Sequence, residues 1–76
     1  ALIAEDEAPQ RQALLAMLAE AWPDLEVVAC EDGIAALEAA AAERIDLALL
    51  DIRMPGLDGL RVARALPAEC LVVFTT

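Results

Sequence analysis

The sequence LALLDIRMPGLDG at residues 47–59 joins an apolar run to an acidic residue and then to a turn. Residues 47–50 are apolar at every position, which is typical of a strand buried on both faces of a parallel sheet. Asp51 stands where this strand ends. Residues 54–57 contain the Pro-Gly pair of a loop, and Asp58 is suited to be the N-cap of a following helix. The stretch therefore predicts a buried strand, an acidic residue at its end, a loop and a helix.

The rest of the chain repeats this alternation of apolar runs with amphipathic segments. Strands are predicted at residues 1–4, 26–30, 47–50 and 71–74, and helices at residues 8–21, 34–44 and 59–66. The apolar residues of the first helix share one face, opposite Arg11 and Glu20; they are Leu14, Leu15, Leu18 and Ala21. This pattern indicates the α/β class, with a parallel sheet covered by helices on both sides. At 76 residues, the chain is one small domain at most.

Composition excludes several classes of protein. Hydrophobic residues make up 61% of the chain, which rules out a disordered polypeptide in spite of the net charge of −9. The five basic residues are all arginines, and acidic residues outnumber them, so no direct contact with nucleic acid is expected. The chain has no histidine, which removes the commonest general base and the commonest transition-metal ligand. Carboxylate chemistry remains, and it suits hard cations such as Mg²⁺.

Cysteine usage and hydropathy bear on the location of the protein. Cys30 and Cys70 lie in apolar surroundings, which predicts buried free thiols rather than a disulfide, and hence a reducing cytoplasm. No apolar run approaches the roughly 18 residues that a membrane span needs, and no basic segment precedes an apolar one as in a secretory signal. We therefore expect a soluble, cytoplasmic chain without membrane contact.

Oxygen-bearing side chains follow three of the predicted strands. Glu5 and Asp6 follow the first strand, Asp51 follows the third, and Thr75 and Thr76 close the fourth. Taken singly, the acidic pair is also explained as a solvated turn, Asp51 as the cap of a loop, and each threonine as an ordinary strand residue. Because the carboxyl ends of parallel strands lie at the same edge, we expect these side chains to meet there. Carboxylates so close repel one another, and a bound divalent cation relieves that repulsion, so the sequence predicts a Mg²⁺ site.

These residues resemble the receiver domain of bacterial two-component response regulators. The resemblance is carried by the acidic pair at residues 5–6, by the Asp, Met-Pro and Asp-Gly of residues 49–59, and by a threonine closing the fourth strand. It implies a flavodoxin-like three-layer fold that is truncated after the fourth strand, so that residues 1–76 form a partial receiver domain. Residues 22–25 and 74–76 are also similar to receivers attached to LytTR-type DNA-binding domains.

The resemblance implies a role for each site residue. Asp51 would accept a phosphoryl group from a sensor histidine kinase and switch an output. Asp6 and Asp51 would bind Mg²⁺ directly, Glu5 mainly through water, and Arg53 through its backbone carbonyl. Thr76 would be the switch threonine that hydrogen-bonds the phosphoryl oxygens. The resemblance thus implies a signalling phosphoprotein in transcription regulation rather than an enzyme.

Several features leave alternatives open. Thr75 is the second candidate for the switch threonine. Receivers carry a lysine at the end of a fifth strand, and its absence here keeps a phosphorylation-independent interaction module as the alternative function. A phosphohydrolase of the haloacid dehalogenase type would need an aspartate two residues after Asp51, where Arg53 stands. The apolar run at residues 71–74 is expected to form an edge strand and to promote self-association.

Overall fold

A computed structural model describes residues 1–75 of the chain. Strands and helices alternate along it: β1 (Leu2–Ala4), α1 (Ala8–Ala21), β2 (Val28–Cys30), α2 (Gly33–Ala42), β3 (Leu47–Leu50), α3 (Gly59–Ala65) and β4 (Leu71–Phe74). The strands pair in parallel in the order β2-β1-β3-β4, which is the beginning of the flavodoxin-like order. The predicted α/β fold is confirmed.

Two elements end or begin at positions that the sequence pattern did not predict. The second strand begins at Val28 rather than at residue 26, because its partner β1 begins at Leu2 and Leu2 pairs with Val28. The second helix ends at Ala42 rather than at residue 44, because the backbone of Glu43 is extended, with φ −134° and ψ 155°. All other predicted boundaries agree with the structure to within one residue.

The sheet separates two apolar layers. On one face, Ile3 and Leu49 form a cluster with Leu18 of α1, and Leu14 and Leu15 pack beside them. The alternate residues of the same strands belong to the larger cluster with α2 and α3; they are Leu2, Ala4, Ala48 and Leu50. Because both faces are covered, the central strands carry apolar residues at every position, as predicted.

Helix α1 is longer than the strand it covers. Its 14 residues span about 21 Å at 1.5 Å per residue, whereas the 3 residues of β1 span about 10 Å. The last turn of α1 therefore extends past the strand. Ala21 lies in this turn and is exposed, although it follows Leu14 and Leu18 on the apolar face of the helix.

Strand β4 forms one edge of the sheet in the part of the chain that the structure describes. It pairs with β3 on one side. The side chains of Leu71, Val73 and Phe74 are 64%, 42% and 42% exposed. The edge therefore presents unpaired backbone groups together with apolar side chains.

The predictions for the cysteines and for membrane spans can be compared with the structure directly. Cys30 and Cys70 are both buried free thiols, as predicted. Within residues 1–75, no helix combines the length and the apolar character that crossing a bilayer requires.

Candidate functional site

Three carboxylates meet at the carboxyl edge of the sheet. Glu5 directly follows β1 and Asp51 directly follows β3, and these two strands pair side by side. Backbone pairing continues past the strand ends, since Asp51 N donates to Ala4 O at 2.9 Å and Glu5 N donates to Cys30 O at 3.0 Å. Each of Glu5, Asp6 and Asp51 offers a carboxylate oxygen, and these oxygens all lie within 4.8 Å of one another. The structure thus brings together the side chains of three predicted site residues.

Burial makes this cluster electrostatically unfavourable. Glu5 is 3% exposed and Asp51 is 5% exposed, whereas Asp6 faces solvent. Burial raises the pKa of Glu5 from 4.5 to about 7. The Glu7 N–H, which donates to Glu5 Oε2 at 3.2 Å, lowers this pKa, and the neighbouring Asp51 and Asp6 raise it further. Burial and the neighbouring carboxylates therefore disfavour negative charge at the site, and a cation would stabilise it.

The Asp51 carboxylate is oriented by the residues that follow it. Its Oδ1 accepts a hydrogen bond from the Arg53 N–H at 2.9 Å. Gly59 packs against the same residue, because a Cβ at Gly59 would lie 2.4 Å from the Asp51 carbonyl oxygen. On the solvent side, Asp51 and Arg53 line an open cleft of about 540 Å³ together with Asp6 and Glu7. The carboxylate is thus fixed by the loop and reached through the cleft.

The donor set fits Mg²⁺. This ion prefers oxygen ligands in octahedral geometry, keeps several water molecules and binds through one or two carboxylates. The cluster of Glu5, Asp6 and Asp51 offers carboxylate oxygens, and the adjoining cleft has room for water. The raised pKa of Glu5 indicates the same chemistry, because a cation would compensate the charge that burial disfavours.

Thr75 lies next to the site but lines a different cavity. Its N–H donates to Leu50 O at 2.9 Å, which continues the pairing of β3 with β4. The side chain lines a cavity of about 320 Å³ with Glu5 and residues of α1, rather than the cleft beside Arg53. Its hydroxyl is buried and has no hydrogen-bond partner within residues 1–75. Thr76, the predicted switch threonine, lies outside the described residues.

Arg11 contacts the site, which the sequence pattern did not predict. Its guanidinium nitrogen donates to the Glu5 carbonyl oxygen at 2.9 Å. The sequence pattern placed Arg11 on the solvent face of the first helix. The available signal was its nearness along the chain to the acidic residues 5–7, which is equally typical of a solvated helix. Arg11 therefore ties the first turns of α1 to the end of β1.

The sheet order and the acidic edge define a doubly wound α/β domain with its ligand site at the carboxyl ends of the strands. Within that class, the chain belongs to the response regulator receiver domain family, whose model matches residues 1–76. It is similar to an uncharacterized response regulatory protein of Vibrio cholerae, with 49% identity over 80 residues. This match covers 100% of the chain and 31% of the relative, so the chain spans less than a third of that protein. The resemblance seen in the sequence is confirmed.

Solved structures show the same fold. The two component transcriptional regulator AraC from Clostridium phytofermentans is 32% identical and superimposes with a TM-score of 0.81 over 96% of this chain and 62% of its own. The receiver domain of a sensor histidine kinase from Pseudomonas aeruginosa, solved with a magnesium ion coordinated in its active site cleft, is 24% identical. Its TM-score is 0.74, over 99% of this chain and 65% of its own, and at that identity the similarity concerns the fold.

Proposed function

We propose that this chain is the phosphoacceptor domain of a two-component response regulator, and that Asp51 takes a phosphoryl group from a phosphohistidine of a sensor histidine kinase. Membership of the receiver family supports the general role. The position of Asp51 at the end of a central strand, oriented by Arg53 and reached through the cleft, supports the choice of acceptor. The observation that carries the proposal is the meeting of three carboxylates within 4.8 Å.

Mg²⁺ is the cofactor that we propose for this cluster. Asp6 and Asp51 would bind it directly, Glu5 mainly through water, and Arg53 through its backbone carbonyl. When bound, the cation supplies the positive charge that lets an anionic phosphodonor approach a carboxylate. The magnesium ion in the cleft of the Pseudomonas aeruginosa receiver domain supports this choice of metal.

The residues of the chain position the reacting groups. A carboxylate oxygen of Asp51 attacks phosphorus, so that an O–P bond forms and an acyl phosphate results. The P–N bond to the donor histidine breaks, and its electron pair stays on the imidazole nitrogen. The Arg53 N–H holds the Asp51 carboxylate through its bond to Oδ1. Phosphoryl transfer depends mainly on positioning and charge stabilisation, which these residues supply. Membership of the receiver family supports a signalling domain rather than an enzyme.

The switch and the output follow from the same proposal. Thr76 would hydrogen-bond the phosphoryl oxygens, with Thr75 as the alternative, and the rearrangement would pass to an output that regulates transcription in the cytoplasm. The net charge of −9 supports an arrangement in which this chain makes no direct contact with nucleic acid. The attachment of a LytTR-type DNA-binding domain stays a prediction.

Self-association through the edge of β4 is a second part of the proposal. In the described part of the chain, β4 pairs with β3 on one side, and its side chains Leu71, Val73 and Phe74 are exposed. Such an edge favours pairing with a strand of another copy, because both backbone hydrogen bonds and apolar burial are gained.

Intact-mass spectrometry tests the phosphoacceptor proposal. Incubation of the full-length protein with Mg²⁺ and acetyl phosphate, a small phosphodonor, should add about 80 Da, the mass of one phosphoryl group. Asp51→Asn should abolish the addition. Asp58→Asn is the matched control, because asparagine can keep the N-cap bond that Asp58 accepts from the Arg61 N–H, and it should still be phosphorylated. An unchanged mass in the wild type would overturn the proposal and favour the phosphorylation-independent interaction module.

A further inference from the structure

Gly33 is in unusually close contact with the loop that follows the acidic strand end. A Cβ at Gly33 would lie 2.0 Å from the carbonyl oxygen of Leu57 and 2.8 Å from its carbonyl carbon. The φ angle of Gly33 is not positive, so backbone conformation does not require glycine at this position. Space is the reason: the first turn of α2 lies directly on the backbone of Leu57.

The two surfaces in this contact are each held in place. Asp32 caps α2 by accepting a hydrogen bond from the Ala35 N–H at 2.7 Å, which fixes the first turn of the helix. Across the contact, the Leu57 N–H donates to Pro55 O at 2.9 Å in a tight turn. A side chain at Gly33 would therefore meet fixed backbone rather than a mobile side chain.

The loop supported by Gly33 is also the loop that orients Asp51. It runs from Ile52 to Gly59, and its ends are joined because the Gly59 N–H donates to Ile52 O at 3.1 Å. Within it, the Arg53 N–H donates to the Asp51 carboxylate at 2.9 Å. Since the ends are tied together, a push on the Leu57 backbone from α2 has to be absorbed inside the loop.

We propose that Gly33 is a positioning residue for the cation site, because its missing side chain lets α2 support the loop that holds the Arg53 backbone against Asp51. This inference rests on the proposed function, since it concerns the same site. It assigns to α2, which contributes no ligand, the task of keeping the Arg53 backbone in place.

The test compares two variants in the full-length protein. Gly33→Ala pushes on the loop through the new Cβ, whereas Leu57→Gly leaves Gly33 intact and loosens the same loop from within. In metal-free protein, hydrogen exchange of the Arg53 amide should be faster in both variants, because its bond to Asp51 is weakened. The Mg²⁺ concentration for half-maximal phosphorylation by acetyl phosphate should rise about tenfold, as for residues that orient metal ligands. At saturating Mg²⁺ most of the wild-type rate should return, because Asp51 would then be held by the bound cation as well as by the Arg53 N–H.

Leu66→Ala is the control for loss of stability alone. Leu66 is buried at the C-terminal end of α3, so its truncation opens a cavity but should leave Arg53 exchange and the Mg²⁺ requirement unchanged. If Gly33→Ala does not fold alone, Gly33→Ala in the Leu57→Gly background decides the outcome, because glycine at residue 57 lets the loop backbone yield to the new Cβ. Wild-type exchange and an unchanged Mg²⁺ requirement in the folded variants would overturn the inference on Gly33. Failure of the wild type to bind Mg²⁺ or to be phosphorylated would instead overturn the proposed function.

Discussion

Replacing Glu5 by glutamine should stabilise the metal-free protein. Glutamine keeps the shape and the oxygen that accepts the Glu7 N–H, but it removes a charge that burial disfavours. The pKa of Glu5 is raised from 4.5 to about 7, and each pKa unit corresponds to about 1.36 kcal/mol. Glu5→Gln should therefore increase the free energy of unfolding by up to about 3 kcal/mol when Glu5 would otherwise be ionised.

The stabilisation expected from Glu5→Gln grows as pH rises. The native state holds the Glu5 proton more tightly than the unfolded state does, so protonation contributes stability below pH 4.5 that is lost as pH rises through about 7. The Glu5→Gln variant should not lose this stability as pH rises, because glutamine does not ionise. Urea unfolding in EDTA should show a small difference between variant and wild type near pH 4.5, growing until about pH 8.

Mg²⁺ should reduce the difference in the free energy of unfolding between Glu5→Gln and the wild type. Binding to the native state stabilises by about 2.7 kcal/mol at a concentration one hundred times the dissociation constant, and the wild type should gain more than Glu5→Gln. Glu7→Gln is the control, because Glu7 is exposed at the N-cap of α1 and offers no buried charge. Equal stability of the wild type and Glu5→Gln in EDTA from pH 5 to 8 would refute the reasoning about burial.

Two further predictions concern the helix that supports the site and the edge of the sheet. Asp32→Ala should lower the free energy of unfolding in urea by about 1 kcal/mol, because it removes the cap bond to the Ala35 N–H, while Asp32→Asn should keep most of the stability. Val73→Lys should abolish concentration-dependent association of the chain in analytical ultracentrifugation, because a charge on the β4 edge opposes strand pairing, whereas Ala29→Lys on β2 should not. A wild-type chain that remains monomeric at high concentration would contradict the proposed self-association.

The central sheet could be predicted because its physical signal is local. Residues 47–50 are apolar at every position, and such a run is typical of a strand covered on both faces. The carboxyl ends of parallel strands lie at one edge of the sheet, so the strand order alone predicted that residues 5–6 lie near Asp51. The length of β2 did not follow, because it is set by the partner: pairing starts where Leu2 of β1 meets Val28.

The finer geometry of the site depends on contacts that leave no pattern in the sequence. Glu5 and Asp6 are adjacent acids, yet the first is buried and the second faces solvent. Arg11 reaches back to a backbone carbonyl, which every residue possesses, so its partner could not be identified from residue type. Gly33 could be read as a helix entry, but its contact with Leu57 exists only once α2 and the loop are packed together.

The free-energy cost of the charge on Glu5 and the stabilisation from the backbone hydrogen bonds around it are of comparable size. Hydrogen bonds continue beyond the strand ends at Glu5, Asp51 and Thr75, and each contributes on the order of 1 kcal/mol net. The charge of buried Glu5 opposes them with up to about 3 kcal/mol at pH above its pKa of about 7. At the carboxyl edge, folding therefore favours an uncharged Glu5, whereas cation binding favours its negative charge. A substitution that removes the buried charge should raise the free energy of unfolding and lower the affinity for the cation. A substitution at the opposite end of the strands should not change both quantities together.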